Sequence, residues 1–312
     1  MDCLGAGRKN TFIAFDPRSG HIFWDSSYKG LIIFWNIYSP VVLPYDFDND
    51  GVNEIVISAG GNPSIPSHIH ERDPGIIFTV SGKTGEFIGK YLTIPERKET
   101  YMSPVLHVQA DDSAYLLIGS GGETVPGNLY MISLPDFYDF VMRNSEFEKP
   151  SFKGNFNTDI ENTFVEDRSI TKLYILYGAE AKGVMVPPVL VDINKDGNKD
   201  ILVSSFDGKL ALYNGWTFEL MWERNFDCFE TYTTAAPGYF NEDETLDVML
   251  IQNLGTFDRY ANSSVLVLDG KDGSTLWQMD ARRYFNYFEV KLNINLFFFV
   301  KNGNGINFDP TD

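Results

Sequence analysis

Asp46-Phe47-Asp48-Asn49-Asp50-Gly51-Val52-Asn53-Glu54 and Asp192-Ile193-Asn194-Lys195-Asp196-Gly197-Asn198-Lys199-Asp200 are two copies of one phrase. Each has an oxygen-bearing side chain at positions 1, 3, 5 and 9 and Gly at position 6. Each runs straight into an apolar stretch, Ile55-Val56-Ile57 in one and Ile201-Leu202-Val203 in the other. A hard cation such as calcium takes about six to eight oxygen ligands at roughly 2.3–2.6 Å, and a short loop supplies them when alternate side chains converge around a sharp Gly turn. An EF-hand loop would place a bidentate Glu at position 12, but here that residue is Ile57 or Val203, inside a strand pattern. The phrase therefore reads as a calcium loop flanked by strands. The expected ligands are Asp46, Asp48, Asp50, the Val52 carbonyl and Glu54 in the first loop, and Asp192, Asn194, Asp196, Asn198 and Asp200 in the second. Four acidic groups in one turn need compensation, which favours a metal over a bare Asp-rich turn.

The loop belongs to a longer frame. Pro40-Val41-Val42-Leu43 precedes the first copy and Pro188-Val189-Leu190-Val191 the second. A third frame, from Pro104 through His107 to Asp111, has lost its ligands and reads as a structural turn. A fourth, Pro237 to Asp247, keeps Asn241, Asp243 and Asp247 but has Tyr239 and Glu244 where the first ligand and the Gly should be. Those three residues make a weaker metal site, and a metal-free turn is expected there.

A second phrase alternates with the first: a strand, a tight turn with Gly, and a strand ending in a large apolar residue. Its copies are Phe12 to Trp24, Phe78 to Ile88, Leu210 to Trp222 and Leu266 to Trp277, with a looser one at Leu129 to Ser133. Asp16 to Trp24, Asn214 to Trp222 and Asp269 to Trp277 share one spacing, as a fixed hairpin register requires. At that register the three tryptophans are expected in the core. Alternating hairpins and loops at such periods predict an all-β protein, a β-propeller of four-stranded blades forming an incomplete ring of four to five blades. Residues 1–280 form the propeller. An insertion over 135–183 starts with a short helix from Asp136 to Met142, and 281–312, rich in Asn and Phe, is a poorly ordered or non-homologous tail.

Composition narrows the function. The 25 basic and 43 acidic residues give a net charge of −18, which argues against nucleic acid or an anionic membrane as partner. Cys3 and Cys228 are the only cysteines, so neither a disulfide framework nor a zinc site is implied. The N-terminus lacks the pattern of a signal peptide, and the apolar stretches are too short or too interrupted to span a bilayer.

The two phrases together resemble FG-GAP repeats, the blades of integrin α-type propellers. The tracts Gly119 to Thr124, Pro237 to Asn241 and Leu268 to Gly273 are similar to animal single-pass membrane glycoproteins built on these repeats. The resemblance covers Cys3 to Trp277. It implies a calcium-stabilised, non-enzymatic ectodomain on the extracellular or luminal side of a type II membrane protein, presenting loops to a protein or glycan ligand. Members of that kind carry an anchor helix and more blades, so an incomplete ectodomain is expected. Asn262-Ser263-Ser264 is a glycosylation sequon, expected on a loop and consistent with that setting.

An enzyme is the competing class. Ala14-x-Asp16-x-x-Ser19-Gly20-x-x-x-Trp24 also matches a phrase of quinone-dependent (PQQ) dehydrogenase propellers, but no Asp base or vicinal cysteines complete such a site, and that family does not explain the loops at Asp46 and Asp192. His68-Ile69-His70-Glu71 lacks the spacing of a zinc helix and reads as a recognition loop. Gly119 to Gly122 lacks the Lys-Ser/Thr of a phosphate loop and reads as a tight turn.

Overall fold

The computed structural model describes residues 11–27, 36–60, 69, 73–156, 172–256 and 259–281. Its strands form antiparallel sheets in chain order. The first pairs β1 (Thr11–Phe15) with β2 (Ile22–Ser27). In the second, β3 (Asn36–Ile37) and β4 (Val41–Val42) both pair with β5 (Ile55–Gly60), which continues to β6 (Ile76–Val80) and β7 (Phe87–Thr93). The third runs β8 (Val105–Val108), β9 (Ala114–Gly119) and β10 (Asn128–Ser133). After the helix α1 (Leu134–Val141) it is completed by β11 (Tyr174–Gly178). The fourth is β12 (Val189–Val191), β13 (Asp200–Ser204), β14 (Lys209–Tyr213) and β15 (Leu220–Asn225). In the fifth, β16 (Phe229–Glu230) and β17 (Ala236–Gly238) share the edge of β18 (Asp247–Thr256), followed by β19 (Arg259–Leu268) and β20 (Thr275–Ala281).

Side chains alternate across a strand, and in the second, third and fourth sheets both faces are apolar because each of these lies between two others. Ala114, Leu116 and Ile118 of β9 meet Val56, Ile77 and Leu92 of the second sheet. The intervening Tyr115 and Leu117 meet Ile201, Val203 and Ala211 of the fourth. Leu202 and Leu212 in turn face Val248, Leu250 and Leu266 of the fifth, and Phe12 packs on Ile57, Phe78 and Val80. Each fully buried aliphatic side chain contributes about 1.5–3 kcal/mol relative to exposure, so the stacked faces hold sheet to sheet. The result is an all-β, propeller-like succession of four-stranded antiparallel sheets.

The expected helix is present and starts two residues earlier. Ser133 caps it, its hydroxyl accepting from the Asp136 amide at 3.2 Å, and Pro135 fits the first turn. Phe137, Tyr138 and Val141 bury against the second sheet's core, and Gly89 of β7 admits the helix end: a Cβ there would lie 2.4 Å from the Val141 carbonyl oxygen.

Three expectations need correction. Within 135–183, read as an insertion, β11 is an integral strand of the third sheet. Asn262 lies within β19, exposed and opposite Leu254, because cross-strand contacts such as Ser263 Oγ to Asn253 Oδ1 (2.7 Å) extend the hairpin through the polar run. The tryptophans are not one class of core residue: Trp222 is 7% exposed but Trp277 is 39% exposed. The segment from His68 to Glu71, apart from Ile69, Cys3, and the tail after Ala281 lie outside the described residues.

Candidate cation loops and the joints between sheets

Three of the nine-residue loops share one hydrogen-bonded scaffold. The carboxylate at position 9 points inward beneath the loop. Glu54 Oε1 accepts the Phe47 and Asp48 amides at 2.5 and 3.0 Å. Asp200 Oδ2 accepts from Ile193 and Asn194 at 2.9 and 3.3 Å, and Asp247 Oδ2 accepts from Phe240 and Asn241 at 2.9 and 3.1 Å. Position 6 is left-handed in each, with φ +89° at Gly51 and Gly197 and φ +63° at Glu244, where a side chain bears the strain Gly avoids.

The hairpin turn of the same sheet lies against this scaffold. A Cβ on Gly82, Gly215 or Gly270 would sit 1.9–2.0 Å from the position-8 carbonyl oxygen of its loop, on Asn53, Lys199 or Leu246. Only Gly permits that approach. It explains why the two phrases travel together in the chain.

At the upper rim the loops diverge. In the first, carboxylate oxygens of Asp46, Asp48 and Asp50 lie within 4.8 Å of one another, the only such acidic cluster among the described residues. Burial, followed by the Asp50 carboxylate, pushes the Asp48 carboxyl upward. Burial also pushes Glu54 up to about 7, against the two amides that favour its charged form. Glu54 Oε2 is buried without a hydrogen-bond partner. The three crowded carboxylates of Asp46, Asp48 and Asp50 could hold a cation. In the second loop, Asn194 Nδ2 and Asn214 Nδ2 donate to Asp196 Oδ2 at 2.9 and 3.0 Å, while the Asp196 amide bonds Asp192 Oδ1 at 3.1 Å. Asn198 turns its side chain to the third sheet, accepting from the Ala110 amide at 2.9 Å. In the fourth frame Lys271 supplies the positive charge, its ammonium 2.7 Å from Asp243 Oδ2, and this pairing holds the Asp243 carboxyl below its usual range.

The tryptophans belong to joints between successive sheets. Trp24 and Trp222 donate their indole N–H to the Gly82 and Gly270 carbonyls of the next sheet at 2.9 and 2.8 Å. Their rings lie where Cβ atoms of Gly85 and Gly273 would be, only 2.4 and 2.8 Å away. Between the third and fourth sheets the parts are exchanged. His107 Nε2 and Gln109 Nε2 bond the Gly215 carbonyl at 2.8 Å, and Phe218, at φ +61° in the place of the Gly, fills the gap with its ring 5.8 Å from His107.

Sequence reading also missed a set of acid–tyrosine contacts. Tyr101 donates to Glu99 at 3.0 Å, Tyr232 to Glu123 at 3.3 Å and Tyr260 to Glu230 at 2.6 Å, with Lys182 paired to Glu230. Burial, then the Glu99 and Glu123 carboxylates, raises the Tyr38 hydroxyl. Except for Tyr101 and Glu99, which are two residues apart, the partners lie far apart in sequence and carry no local motif.

Stacked four-stranded meanders, glycine-mediated turns and a repeated joint define a β-propeller-type protein. The chain belongs to the FAM234A/B beta-propeller family, whose model matches residues 1–287. It is similar to Protein FAM234B of Mus musculus, 28% identical over 88% of this chain and 39% of the relative. It is also similar to Protein FAM234B of Homo sapiens, 27% identical over 89% and 40%. The chain thus spans about two fifths of the length of these curated relatives. Among solved structures it is loosely similar to BamB from Moraxella catarrhalis, with a TM-score of 0.41 at 13% identity over 88% of this chain and 59% of that one. Quinohemoprotein alcohol dehydrogenase ADHIIG from Pseudomonas putida HK5 gives a TM-score of 0.47 at 11% identity over 88% and 51%. Among the described residues, no helix is long and apolar enough to cross a membrane.

Proposed function

We propose that the chain is a calcium-stabilised, non-enzymatic part of a propeller with FG-GAP-type blades, an incomplete ring that presents loops to a protein or glycan ligand on the extracellular or luminal side of a membrane. The observation that carries this reading is the convergence of Asp46, Asp48 and Asp50 on a loop that the buried Glu54 carboxylate ties through the Phe47 and Asp48 amides. Those four residues, with the Val52 carbonyl, would hold the ion. The second loop would use Asp192, Asn194, Asp196 and Asp200. Calcium would neutralise the cluster and stiffen the loop against its hairpin; its role is structural. Asn262, exposed on β19, would carry glycan in that setting.

The quinoprotein-like phrase supports no second reading, because its residues have structural tasks. Asp16 accepts the Ser19 hydroxyl at 2.7 Å in the turn, and Trp24 clamps the second sheet. The test is thermal denaturation with calcium and with chelator. Calcium should raise the melting temperature by selective binding to the folded chain, and joint Asp50→Ala and Asp196→Ala substitution should abolish the rise. Superimposable curves for the wild type would refute the proposal.

A further inference from the structure

The first nine-residue loop divides its alternate side chains between two tasks. Asp46, Asp48 and Asp50 converge their carboxylates at the rim. Tyr45, Phe47 and Asn49 instead touch the segment that leaves α1, residues 143–156. Asn49, left-handed at φ +59°, donates Nδ2 to the Glu148 carbonyl at 3.2 Å and accepts the Glu148 amide on Oδ1 at 2.9 Å, so its carboxamide pairs with that backbone as a strand edge would. Phe152 packs on both neighbours of Asp46, its ring centroid 4.6 Å from Tyr45 and 6.4 Å from Phe47. The Tyr45 hydroxyl accepts the Lys153 amide at 3.0 Å, and the Lys149 ammonium lies over the Tyr138 and Phe152 rings, 5.8 Å from each centroid.

The segment is a strap, because its far end is tied to the third sheet. The Asn155 amide donates to Asp111 Oδ2 at 2.8 Å. Gly154, at φ +96°, lies so close to Ser113 that a Cβ would fall 2.2 Å from its hydroxyl oxygen. In the second loop Lys195 takes the place of Asn49, also left-handed at φ +61°. It lines an open cleft with Tyr239 and Glu242 rather than meeting a strap.

We propose that cation binding at the Asp46 loop closes this strap, so that the order of residues 143–156 follows the occupancy of that loop. The inference rests on the calcium reading above. The three carboxylates crowd one another within 4.8 Å, and like charges at that range push the loop open. With a cation between them, residues 46–50 keep one conformation, which presents Asn49 to Glu148 and holds Tyr45 and Phe47 under Phe152. The coupling is reciprocal, since a closed strap keeps the loop in its ion-binding shape. The Asn49 and Lys153 bonds to the strap are exposed, which places the strap at the easily opened end of the fold. The two Asn49 bonds alone support about a tenfold change in its opening.

Hydrogen exchange of the 312-residue chain, metal-stripped and then saturated with calcium, tests this, with bound calcium counted in parallel by dialysis. Calcium should slow exchange across residues 146–155 about tenfold. Asp50→Ala should abolish that protection, whereas Asp196→Ala, in the other loop, should leave it. Asn49→Gly tolerates the left-handed backbone and keeps every proposed ligand but removes the carboxamide. It should still bind calcium at the Asp46 loop, yet lose most of the protection at Glu148. The wild-type comparison needs no substitution, so a variant that misfolds does not blunt the test. Bound calcium with unchanged exchange over 146–155 would overturn this inference alone. So would protection that survives Asp50→Ala, or full protection at Glu148 in Asn49→Gly. A chain that binds no calcium would overturn the proposed function and this inference with it.

Discussion

Replacing Trp222 by Ala separates a clamp from an ordinary apolar residue. An indole side chain presents about 200 Å², worth about 5 kcal/mol if wholly buried at about 25 cal/mol per Å². Trp222 is 7% exposed and Trp277 39% exposed, so burial alone makes the first substitution more damaging by about 1.5 kcal/mol. Trp222→Ala also strands the Gly270 carbonyl, now bonded at 2.8 Å, which adds about 1 kcal/mol or more. The Ala variant at 222 should therefore lose about 2–3 kcal/mol more stability than the one at 277. Trp222→Phe, which keeps most of the ring but loses the N–H, should lose about 1–2 kcal/mol. The assay is urea unfolding followed by far-ultraviolet circular dichroism, at a concentration where each variant is monomeric. Equal losses at 222 and 277, or a silent Trp222→Phe, would refute the clamp.

Other expectations follow from the same joints and loops. Gly51→Ala should be mild, about 1 kcal/mol of backbone strain, since its Cβ would meet nothing within 4 Å. Gly270→Ala should be severe, because its Cβ would fall 1.9 Å from the Leu246 carbonyl oxygen; comparable unfolding midpoints would contradict this. Burial, followed by Lys199, holds His107 below its usual range despite the bond to Gly215. The unfolded chain thus binds the proton more readily: the neutral side chain's contribution is present above about pH 6.5 and is lost as pH falls from there through the folded-state value. His107→Gln should flatten that acid limb of the stability profile, and an unchanged limb would exclude His107 as its source. Passage through a secretory pathway should yield a glycosidase-sensitive mass that Asn262→Gln removes; an unmodified wild type would count against the luminal assignment.

Much of the architecture was legible because each repeat encodes its own turn. The eight-residue step from Asp269 to Trp277 specifies a hairpin, and the position-6 glycines mark loops that need left-handed backbone. What the local code does not carry is the identity of a residue's partner. Trp222 is core, as its register implied, but nothing around it in the sequence names Gly270 and Gly273 as its neighbours. The exchange of His107, Gln109 and Phe218 into one joint was hidden for the same reason, since its parts lie about a hundred residues apart. β11 was missed because Leu173-Tyr174-Ile175-Leu176-Tyr177 is apolar without alternation and is separated from β10 by the helix and loop. Asn262-Ser263-Ser264 looked like a loop by composition, whereas tertiary pairing with β18 keeps it extended. The ligand spacing placed Asp46, Asp48 and Asp50 together correctly, yet could not distinguish rim carboxylates from the inward tie made by Glu54, Asp200 and Asp247.

Equilibrium dialysis of the metal-stripped chain against calcium, with bound ion counted per folded monomer, bears most directly on the role assigned to these loops. One ion at the Asp46 loop and a second at the Asp192 loop are predicted, falling to none when Asp50 and Asp196 are both replaced by Ala. A chain that retains no calcium, or one whose bound calcium is indifferent to both substitutions, would contradict it.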